Sequence, residues 1–315
     1  AFNARRNARN FSDEEFRAAV SYCHLRGVKV YLTLNTLVTD RELPALAAEA
    51  RTASDCGVDA ILVQDWGVLA TLQKIIPDVP LHASTQMSLH TLSGVQEAAR
   101  LGMTRAVLAR ELSRGEIAEI CQKSPIEIET FVHGALCMCY SGQCEMSAVI
   151  GRRSGNRGAC AQPCRYQYAL MEEKRPGEYF PVFEDEKGTY IMSSRDMCMI
   201  DHLPALLDAG ITSLKIEGRT KSAYYVGAVT NAYRHALDDA IAGRPLAPVW
   251  QREVLQISHR PYSTGFYFGE PGQYTANSAY FAGAEVCAVV EGTAPDGRAV
   301  LTQRNQFCAG DTLEP

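Results

Sequence analysis

The sequence lacks several patterns that identify common protein classes. No uninterrupted apolar run reaches the roughly 18 residues that a membrane-spanning helix needs, so we expect no membrane segment. Neither the G-x-S-x-G turn of α/β hydrolases nor the H-E-x-x-H helix of zinc peptidases occurs. The glycine-rich GRRSGNRG stretch at 151–158 lacks the G-K-[ST] ending of a phosphate-binding loop. These absences argue against a hydrolase or a nucleotide-binding protein of those types.

An excess of positive charge is also lacking. The 31 lysines and arginines face 36 aspartates and glutamates, which gives a formal net charge of −5. This balance argues against a general basic coat for non-specific nucleic-acid binding. However, no acidic residue lies between Met146 and Met171, and four arginines do: Arg152, Arg153, Arg157 and Arg165. This stretch predicts a local surface for phosphate, carboxylate or an RNA backbone.

The cysteine content does not indicate a disulfide-stapled protein. Eleven cysteines, an odd number, are spread through a chain of 315 residues that is far larger than such modules. Free thiols persist in reducing compartments. We therefore expect a cytoplasmic protein.

Helix and strand patterns alternate through the first three quarters of the chain. Ser12 is a predicted N-cap of the first helix, followed by acidic residues in its first turn. Strands are predicted at 28–34, 60–64, 81–85, 105–109, 127–132, 190–193 and 213–217, with helices at 40–55, 67–76, 92–101, 113–123, 201–209 and 222–242. Such repetition is typical of an α/β protein and favours a TIM-like (βα) barrel. Because a TIM barrel has eight strands, we expect this barrel to be N-terminally incomplete in the chain.

The pattern changes after Gly243. Four prolines interrupt helical periodicity: Pro245, Pro248, Pro261 and Pro271. From Tyr280 onward, short alternating stretches are joined by a Pro-Asp-Gly turn. We therefore predict a barrel over residues 1–243, with a cysteine-rich insertion at 134–168. Residues 244–315 would form a linker and the start of a small C-terminal β domain that resembles a barrel.

Polar residues follow every predicted strand of the repeat. The strand ends read Asn35-Thr36, Gln64-Asp65, Ser84-Thr85-Gln86, Arg110-Glu111, His133-Gly134, Ser194-Arg195-Asp196 and Glu217-Gly218-Arg219. Strand ends meet solvent and are often polar for that reason alone. In parallel barrels, however, functional side chains gather at the carboxyl ends of the strands. Seven polar ends together favour a polar pocket.

Five cysteines lie within an eighth of the sequence, and four of them form a C-x6-C-x15-C-x3-C pattern: Cys137, Cys144, Cys160 and Cys164. Buried structural cysteines would rarely cluster in this way. A structural zinc site is chemically sound, although zinc sites favour paired C-x2-C spacings. A 4Fe-4S cluster accepts longer and uneven intervals, and we favour it. Cys139 is a possible competing ligand, and Cys198 is an alternative fourth ligand.

Candidate catalytic and binding side chains occur at other strand ends. Glu217 and Asp196 are candidates for general acid or base catalysis, and His133 for a donor near the cysteine site. Four basic residues would bind a small carboxylate or phosphate: Arg195, Lys215, Arg219 and Lys221. Each acid is equally well explained as the ion-pair partner of an adjacent basic residue. A peptidase dyad of His133 with a thiolate lacks an orienting acid, because Glu129 lies roughly 13 Å along the same strand.

Several motifs resemble those of the bacterial collagenase-like peptidase family of unassigned catalytic type. They are HGALCMCYSGQC, GRRSGNRGACAQPCRYQY, GTYIMSSRDMCMIDHLPALLDAGITSLKIEGRTKSAYYV and RNQFCAGDTLEP. Within that family, RPGEY, FEDEKGTYIM and IEGRTKS are most similar to the members that hydroxylate tRNA. The likeness covers nearly the whole chain from Phe11 onward.

The resemblance implies a fold, a cofactor and an activity. It implies a TIM-like barrel with a 4Fe-4S cluster on Cys137, Cys144, Cys160 and Cys164. It also implies oxygen-independent hydroxylation that draws on prephenate, and, for the tRNA-hydroxylating branch, formation of 5-hydroxyuridine at the wobble position. Some relatives take the fourth ligand from further along the chain, so Cys198 remains an alternative fourth ligand here.

Three functions therefore compete. The first is a redox enzyme that modifies tRNA or another RNA, with the arginines of 152–165 on RNA phosphates and a small carboxylate as co-substrate. The second is a peptidase of the kind in the family's traditional label. The third is a zinc-stabilised RNA-binding accessory protein without catalytic activity.

Overall fold

A computed structural model describes residues 2–3, 10–165, 169–171, 176–177, 179–181, 194–218, 221–272, 274, 280, 282–284, 286–311 and 313. Nine helices occur in these ranges: α1 Asp13–His24, α2 Leu43–Asp55, α3 Trp66–Ile75, α4 Leu92–Arg100, α5 Arg114–Lys123, α6 Met146–Val149, α7 Leu203–Asp208, α8 Ala223–Ile241 and α9 Pro248–Gln256. None of these helices combines the length and the apolar character needed to span a membrane.

Twelve strands accompany them in the same ranges. They are β1 Tyr31–Leu34, β2 Ala60–Val63, β3 Leu81–Ala83, β4 Arg105–Val107, β5 Glu127–Ala135, β6 Ala169–Met171, β7 Tyr179–Pro181, β8 Asp196–Cys198, β9 Ser213–Ile216, β10 Tyr262–Ser263, β11 Ala288–Thr293 and β12 Ala299–Gln303. Eight of the strands form one sheet, in which β1 to β5 lie in chain order and pair in parallel.

Helix starts follow the capping residues that the sequence predicts. Ser12 accepts a hydrogen bond from the backbone of Glu15, and the Glu15 side chain accepts one from the backbone of Ser12. Ser113 and Glu116 form the same reciprocal pair at the start of α5. Each pair satisfies two backbone N–H groups that the helix leaves without an internal partner. The predicted helix starts are confirmed at both places.

The sheet buries its central strands completely. All four residues of β2 are buried, as are all three of β3. Helices α2 to α5 turn apolar residues inward, among them Leu46, Leu72, Val95 and Ile117. Strands with both faces covered by protein read as continuous apolar runs, which is why AILV at 60–63 is recognisable as a strand.

Strand β5 is the longest strand of the sheet, and it extends past its predicted end at residue 132. Its first half pairs with β4 and β9 in parallel, and His133 to Ala135 pair with β8 in the antiparallel direction. His133 and Gly134, which the sequence places after the strand, are therefore part of it. The sheet partners that cause this extension come from residues more than 60 positions away.

Strand β8 occupies a place that the sequence pattern does not predict. The predicted strand at 190–193 lies outside the described residues. Asp196 begins β8 instead of following a strand, and it is opposite Ala135 on one side and Tyr262 on the other. Tyr262 belongs to β10, so a segment far along the chain returns to this sheet.

The chain divides into two compact units. The first comprises residues 1–220 and 261–278, and the second comprises 221–260 and 279–315. The predicted boundary at residue 243 lies within the second unit. There, α8 packs against α9, and β11 pairs with β12 in an antiparallel hairpin. The backbone N–H of Gly297 donates to Ala294 and closes the predicted Pro-Asp-Gly turn.

One expectation about the second unit is wrong. The prolines after Gly243 are expected to interrupt helices, but Pro248 occupies the first turn of α9. A proline is tolerated at that position because the first N–H groups of a helix have no internal partner and the ring fixes a suitable φ angle.

Candidate active site

A cavity of about 270 Å³ lies at the carboxyl ends of the parallel strands. We call it the cysteine cavity. Its strand-end side is formed by Thr33, Asn35, Leu62, Ser84, Thr85, Gln86, Arg110, Phe131, Lys215, Ile216, Glu217 and Gly218. Its other side is formed by residues of the segment 137–164, which we call the cysteine segment. Four of the seven predicted polar strand ends thus meet at one place, at Asn35, Ser84 to Gln86, Arg110 and Glu217.

Five cysteines line this cavity: Cys137, Cys139, Cys144, Cys160 and Cys164. Burial raises the pKa of the Cys139 thiol to about 11, and the neighbouring thiols of Cys144, Cys137 and Cys164 act in the same direction. That influence requires the sulfur atoms to be close together. The spacing pattern in the sequence therefore corresponds to a shared location in space.

Cys198 is the alternative fourth ligand that the sequence offers. It is in β8, where its backbone is opposite His133 of β5. It is not among the described residues that line the cysteine cavity, whereas Cys164 is. The structure thus groups Cys164, and not Cys198, with the other cysteines of the motif.

The backbone of the cysteine segment is held by a buried serine. The Ser147 hydroxyl donates to the carbonyl oxygen of Arg153 and accepts from the backbone N–H of Ala161 at 2.8 Å. Asn156 adds a second link, since its Oδ1 accepts from the backbone N–H of Cys144 at 3.1 Å. These bonds connect the two halves of the segment. Sequence reasoning missed both residues, because isolated serines and asparagines in a loop carry no distinctive pattern.

The cysteine cavity suits a sulfur-ligated inorganic group by the chemistry of its donors. Thiolates are the preferred ligands of iron-sulfur clusters and of structural zinc. Among the described residues, no group of three or more histidine, cysteine, aspartate or glutamate side chains is arranged to hold a single metal ion. A four-iron cluster is broader than one ion, so its ligands stand further apart. Cys137, Cys144, Cys160 and Cys164 are the residues that would hold it.

The arginines of the cysteine segment differ in their surroundings. Arg157 pairs with the carboxylate of Glu42, and its Nη1 donates to the carbonyl oxygen of Leu37 at 3.0 Å. The hydrogen bond from Arg157, assisted by those from Thr39, lowers the pKa of Glu42 to about 2. Arg157 therefore attaches the segment to the loop after β1.

Two other arginines of the segment are exposed. Arg153 donates through Nε to the carbonyl oxygen of Ala159 at 3.0 Å, and Arg152 adopts a left-handed backbone with φ of 50°. Both leave positive charge at the surface, which suits contact with phosphates. The side chain of Arg165 lies outside the described residues.

Lys215 lines the cysteine cavity and contacts a buried acid behind it. Its Nζ donates to Glu129 Oε1 at 2.5 Å, and Arg105 Nη1 donates to Glu129 Oε2 at 3.0 Å. Burial raises the pKa of Glu129, but the charge of Lys215 and the hydrogen bonds from Lys215 and Ser213 outweigh it, so the pKa is lower than usual. Glu129 is thus an ionised counter-charge inside the sheet.

The sheet contains one further buried titratable group next to this pair. His82 packs edge-on against Tyr31 with ring centroids 5.1 Å apart. Burial, followed by the charge of Arg105, lowers the pKa of His82 to about 4. The imidazole is therefore neutral at physiological pH.

Arg110 lines the cavity as well and, like Lys215, lies near the ring of Phe131. Its guanidinium lies 3.8 Å from the ring centroid, and Nη1 donates to the carbonyl oxygen of Ala135 at 2.7 Å. Its buried Nε has no hydrogen-bond partner among the described residues. The sequence indicated Arg110 only as one of many polar strand ends. Two cations thus lie beside one aromatic ring in the cavity lining.

The three predicted acid-base residues have different positions. Glu217 lines the cysteine cavity. Its backbone N–H donates to His133, and a Cβ at Gly134 would lie 2.5 Å from its carbonyl oxygen. His133 is buried in β5, with its ring 5.4 Å from that of Tyr262. Asp196 is fully buried in β8. Of the three, the structure brings only Glu217 into the cavity lining that it describes.

The remaining predicted basic residues are not grouped with the cavity. Arg195 precedes β8, next to Ser194, whose hydroxyl donates to the carbonyl oxygen of Leu136 at 2.8 Å. Arg219 lies outside the described residues. Lys221 belongs to the second unit, where its Nζ lies 4.4 Å from the ring centroid of Tyr280. Of the four basic residues, Lys215 alone is on the described cavity wall.

Comparison with known proteins identifies relatives over most of the chain. The sequence profile described as peptidase family U32 matches residues 1–277. The tRNA hydroxylation protein P of Escherichia coli (strain K12) is 33% identical over 96% of this chain and 77% of its own length. The tRNA hydroxylation protein P1 of Bacillus subtilis (strain 168) is 35% identical over 99% of this chain and 76% of its own length.

A further relative is named for the modification of a different RNA. A 23S rRNA 5-hydroxycytidine synthase of Escherichia coli (strain K12) is 41% identical over 77% of this chain and 36% of its own length. The profile match and the first two relatives each cover far more than half of this sequence. They confirm the family that the cysteine motifs indicated: the chain belongs to peptidase family U32.

Proposed function

We propose that this protein hydroxylates an RNA base in a reaction that depends on an iron-sulfur cluster. One observation carries the proposal: five cysteines of one segment line a cavity at the carboxyl ends of parallel strands, together with cationic and carboxylate side chains. The names of the relatives, two tRNA hydroxylation proteins and an rRNA hydroxycytidine synthase, support an RNA substrate. The finer proposal is conversion of the tRNA wobble uridine to 5-hydroxyuridine.

The proposed cofactor is a 4Fe-4S cluster on Cys137, Cys144, Cys160 and Cys164. Such a cluster supplies one-electron redox chemistry when bound. The chain itself would position the reactants around it. Arg110 and Lys215 would hold the carboxylate of a co-substrate beside Phe131, because both cations are held by hydrogen bonds in the cavity lining. Glu217 would exchange protons with the bound reactants, since it is an acid on the same cavity wall.

The proposed co-substrate is prephenate. Formation of 5-hydroxyuridine replaces the C5–H bond of uracil by C5–OH, which is a gain of one oxygen atom and a two-electron oxidation. In an oxygen-independent reaction, the co-substrate must accept the two electrons, and either the co-substrate or water supplies the oxygen atom. Prephenate could do both, because exchange of its C–OH group for C–H would transfer the hydroxyl oxygen to uracil, take up the hydrogen from C5 and reduce prephenate by two electrons. Its carboxylates suit the two cations of the cavity.

We also propose that the eight-stranded sheet belongs to a TIM-like barrel in a cytoplasmic protein. The parallel order of β1 to β5, with a helix after each of the first four strands, supports the barrel. The gathering of the functional side chains at the carboxyl ends of the strands supports it as well.

The peptidase alternative receives less support from the described residues. A dyad built on His133 would need an orienting acid, and Glu129 on the same strand is bound by Lys215, Arg105 and Ser213. Gelatin cleavage by the purified protein would be the result in favour of that alternative.

Two experiments test the proposed function. Anaerobic purification should give a brown protein with about four iron atoms per chain. Mass spectrometry of tRNA nucleosides from a strain without the gene should show loss of 5-hydroxyuridine, restored by the wild-type gene and not by a Cys144→Ser gene. Stoichiometric zinc with tRNA binding and unchanged nucleosides would instead indicate an accessory RNA-binding protein.

A further inference from the structure

A second cavity adjoins the cysteine cavity in the first unit. It also measures about 270 Å³ and is lined by Leu37, Trp66 and Met87, by the three amides of Gln64, Gln86 and Gln143, and by Asp65. We call it the tryptophan cavity. Gln86 lines both cavities, so they adjoin at this side chain. A group bound in either cavity can therefore contact Gln86.

The cysteine segment forms part of this boundary. Gly142 is so close to the two glutamines that a Cβ in its place would lie 2.9 Å from Gln86 Cβ and 3.1 Å from Gln64 Nε2. Its φ of 81° is also in the left-handed region. The segment that carries the cysteines thus lies directly against the amides of the tryptophan cavity.

Trp66 provides a flat aromatic surface at the cavity opening. Its side chain is 55% exposed, although an indole is among the most costly groups to leave in water. Its backbone position is fixed, because Trp66 is the first residue of α3 and the carboxylate of Asp65 caps that helix. Asp65 Oδ1 accepts from the backbone of Gly67 at 2.7 Å and of Val68 at 3.1 Å. The indole is thus an open aromatic surface on a fixed backbone.

The glutamines provide unsatisfied polar atoms. Gln64 and Gln86 are each 7% exposed, and the Oε1 atom of each has no hydrogen-bond partner among the described residues. A buried polar atom without a partner is unfavourable, so such atoms at a cavity wall indicate a missing ligand. Amides match the alternating donors and acceptors at the edge of a nucleobase.

The charge of the tryptophan cavity disfavours anionic groups. No cationic side chain lines it in the described part of the chain, and Asp65 adds a negative charge at its wall. A phosphate would be repelled there. A neutral, planar group with polar edges fits the indole, the amides and the two aliphatic side chains. Exposed cations lie on the cysteine segment instead, at Arg152 and Arg153.

We infer that the tryptophan cavity binds an unstacked nucleobase of the RNA, namely a base next to the one that is modified. The base stacks on Trp66, and the amides of Gln64 and Gln86 bond its edge. This inference rests on the proposed function, because it places the modified base in the cysteine cavity and its neighbour beyond Gln86. It implies that the enzyme acts on single-stranded nucleotides, such as those of a loop, and reads the sequence beside the target.

The test uses the full chain with its cluster reconstituted anaerobically, and Trp66 itself as the reporter. The chain has two tryptophans, and the other is Trp250 of the second unit. In a Trp250→Phe background, all tryptophan fluorescence comes from Trp66. The probe is a tRNA anticodon stem-loop, compared with copies of the same stem-loop that are abasic at one position next to the target. Stacking should quench the fluorescence with the intact probe, and one abasic copy should restore it.

A matched set of variants measures the affinity. Trp66→Ala should weaken stem-loop binding roughly 5- to 100-fold, the range expected for loss of one base-aromatic stack. Trp66→Phe should retain most of the affinity. Tyr22→Ala removes an exposed aromatic ring of α1 and should have no effect. Gln64→Leu should reduce discrimination among bases at the flanking position. Circular dichroism should show the same helix content in all variants.

The outcomes separate the inference from the proposed function. If the wild-type protein binds and hydroxylates the stem-loop, and Trp66→Ala does so equally well, the inference is wrong and the proposed function stands. Equal quenching by the intact probe and by every abasic probe would also overturn the inference alone. If the wild-type protein with its cluster neither binds nor modifies the RNA, both are overturned.

Discussion

The ammonium group of Lys215 contacts the buried carboxylate of Glu129 at 2.5 Å. Lys215 belongs to β9 and Glu129 to β5, which are paired strands of the sheet. Arg105 of β4 binds the other carboxylate oxygen. Glu129 therefore binds two cations, of which Arg105 also pairs with Glu127, and it holds Lys215 at the wall of the cysteine cavity.

Glu129→Gln should destabilise the protein by roughly 3 kcal/mol, because it leaves Lys215 without its counter-charge and removes one of the two carboxylates that bind Arg105. Urea unfolding at pH 7 measures the change. Glu119→Gln, which removes an exposed partner of Lys123, is the control and should cost less than about 0.5 kcal/mol. Equal effects of the two substitutions would contradict the role assigned to Glu129.

The same residue predicts a pH dependence of stability. Because the folded-state pKa of Glu129 is lower than its unfolded value, its contribution is fully present above the unfolded pKa. It is lost as the pH falls through the folded-state pKa. The wild-type protein should therefore lose stability on acidification more steeply than Glu129→Gln does. Unfolding free energies of both proteins, measured between pH 7 and pH 3, test this. Parallel curves of unfolding free energy against pH would contradict it.

Gly134→Ala should disturb the cavity wall. The added Cβ would lie 2.5 Å from the carbonyl oxygen of Glu217, and Gly134 has a φ of 108°. Strain and overlap together should cost roughly 2 to 4 kcal/mol. Gly115→Ala in α5 is the matched control, since nothing lies within 4 Å of its added Cβ, and it should stabilise by about 0.5 kcal/mol. Thermal unfolding of the two variants should shift in opposite directions.

The proposed cluster ligands predict which cysteine substitutions abolish iron binding. Cys137→Ser, Cys144→Ser, Cys160→Ser and Cys164→Ser should each lose the visible absorbance of the reconstituted protein. Cys198→Ser should keep it, because Cys198 lies in β8 and away from the described cavity lining. Cys121→Ser serves as a control in α5. A Cys198→Ser protein without iron, beside a Cys164→Ser protein with iron, would reverse the assignment of the fourth ligand.

Arg110 should determine the affinity for the carboxylate co-substrate. Loss of a charge-assisted hydrogen bond in Arg110→Gln should raise KM for prephenate roughly 10- to 100-fold, with a smaller effect on the KM for RNA. Arg110→Lys should restore part of the affinity. Arg153→Gln, at the exposed surface of the cysteine segment, should show the converse: a larger rise in the KM for RNA than in the KM for prephenate. Iron content should be unchanged in all three, which separates binding from cofactor loss.

The parts of the fold that could be predicted are those with local causes. Ser12 and Ser113 mark helix starts because their hydroxyls cap the next turn, and the apolar run at 60–63 marks a buried strand. The end of β5 was misplaced because its last three residues are ordered by β8, a partner distant in sequence. The helix α9 was missed because a proline can begin a helix as well as interrupt one.

The residues of the candidate site likewise divide into those with a local sequence signal and those without one. The cysteines could be found from their spacing, since a shared ligand requires several thiols in a flexible segment. Ser147, which holds that segment together, and Arg110, which lies against Phe131, had no such local signal. Their roles depend on contacts between side chains whose separation in sequence carries no information about distance.

The amino-acid sequence by itself determined the strand and helix repeat, the family and the cysteine-rich segment, because each rests on residue types at short intervals. Only the tertiary structure decided that Lys215 is held by Glu129, that Cys164 and not Cys198 joins the other thiols, and that Trp66 and two glutamines form a second cavity beside them. Those relations arise where strand ends from distant parts of the chain meet, and strand pairing brings them there.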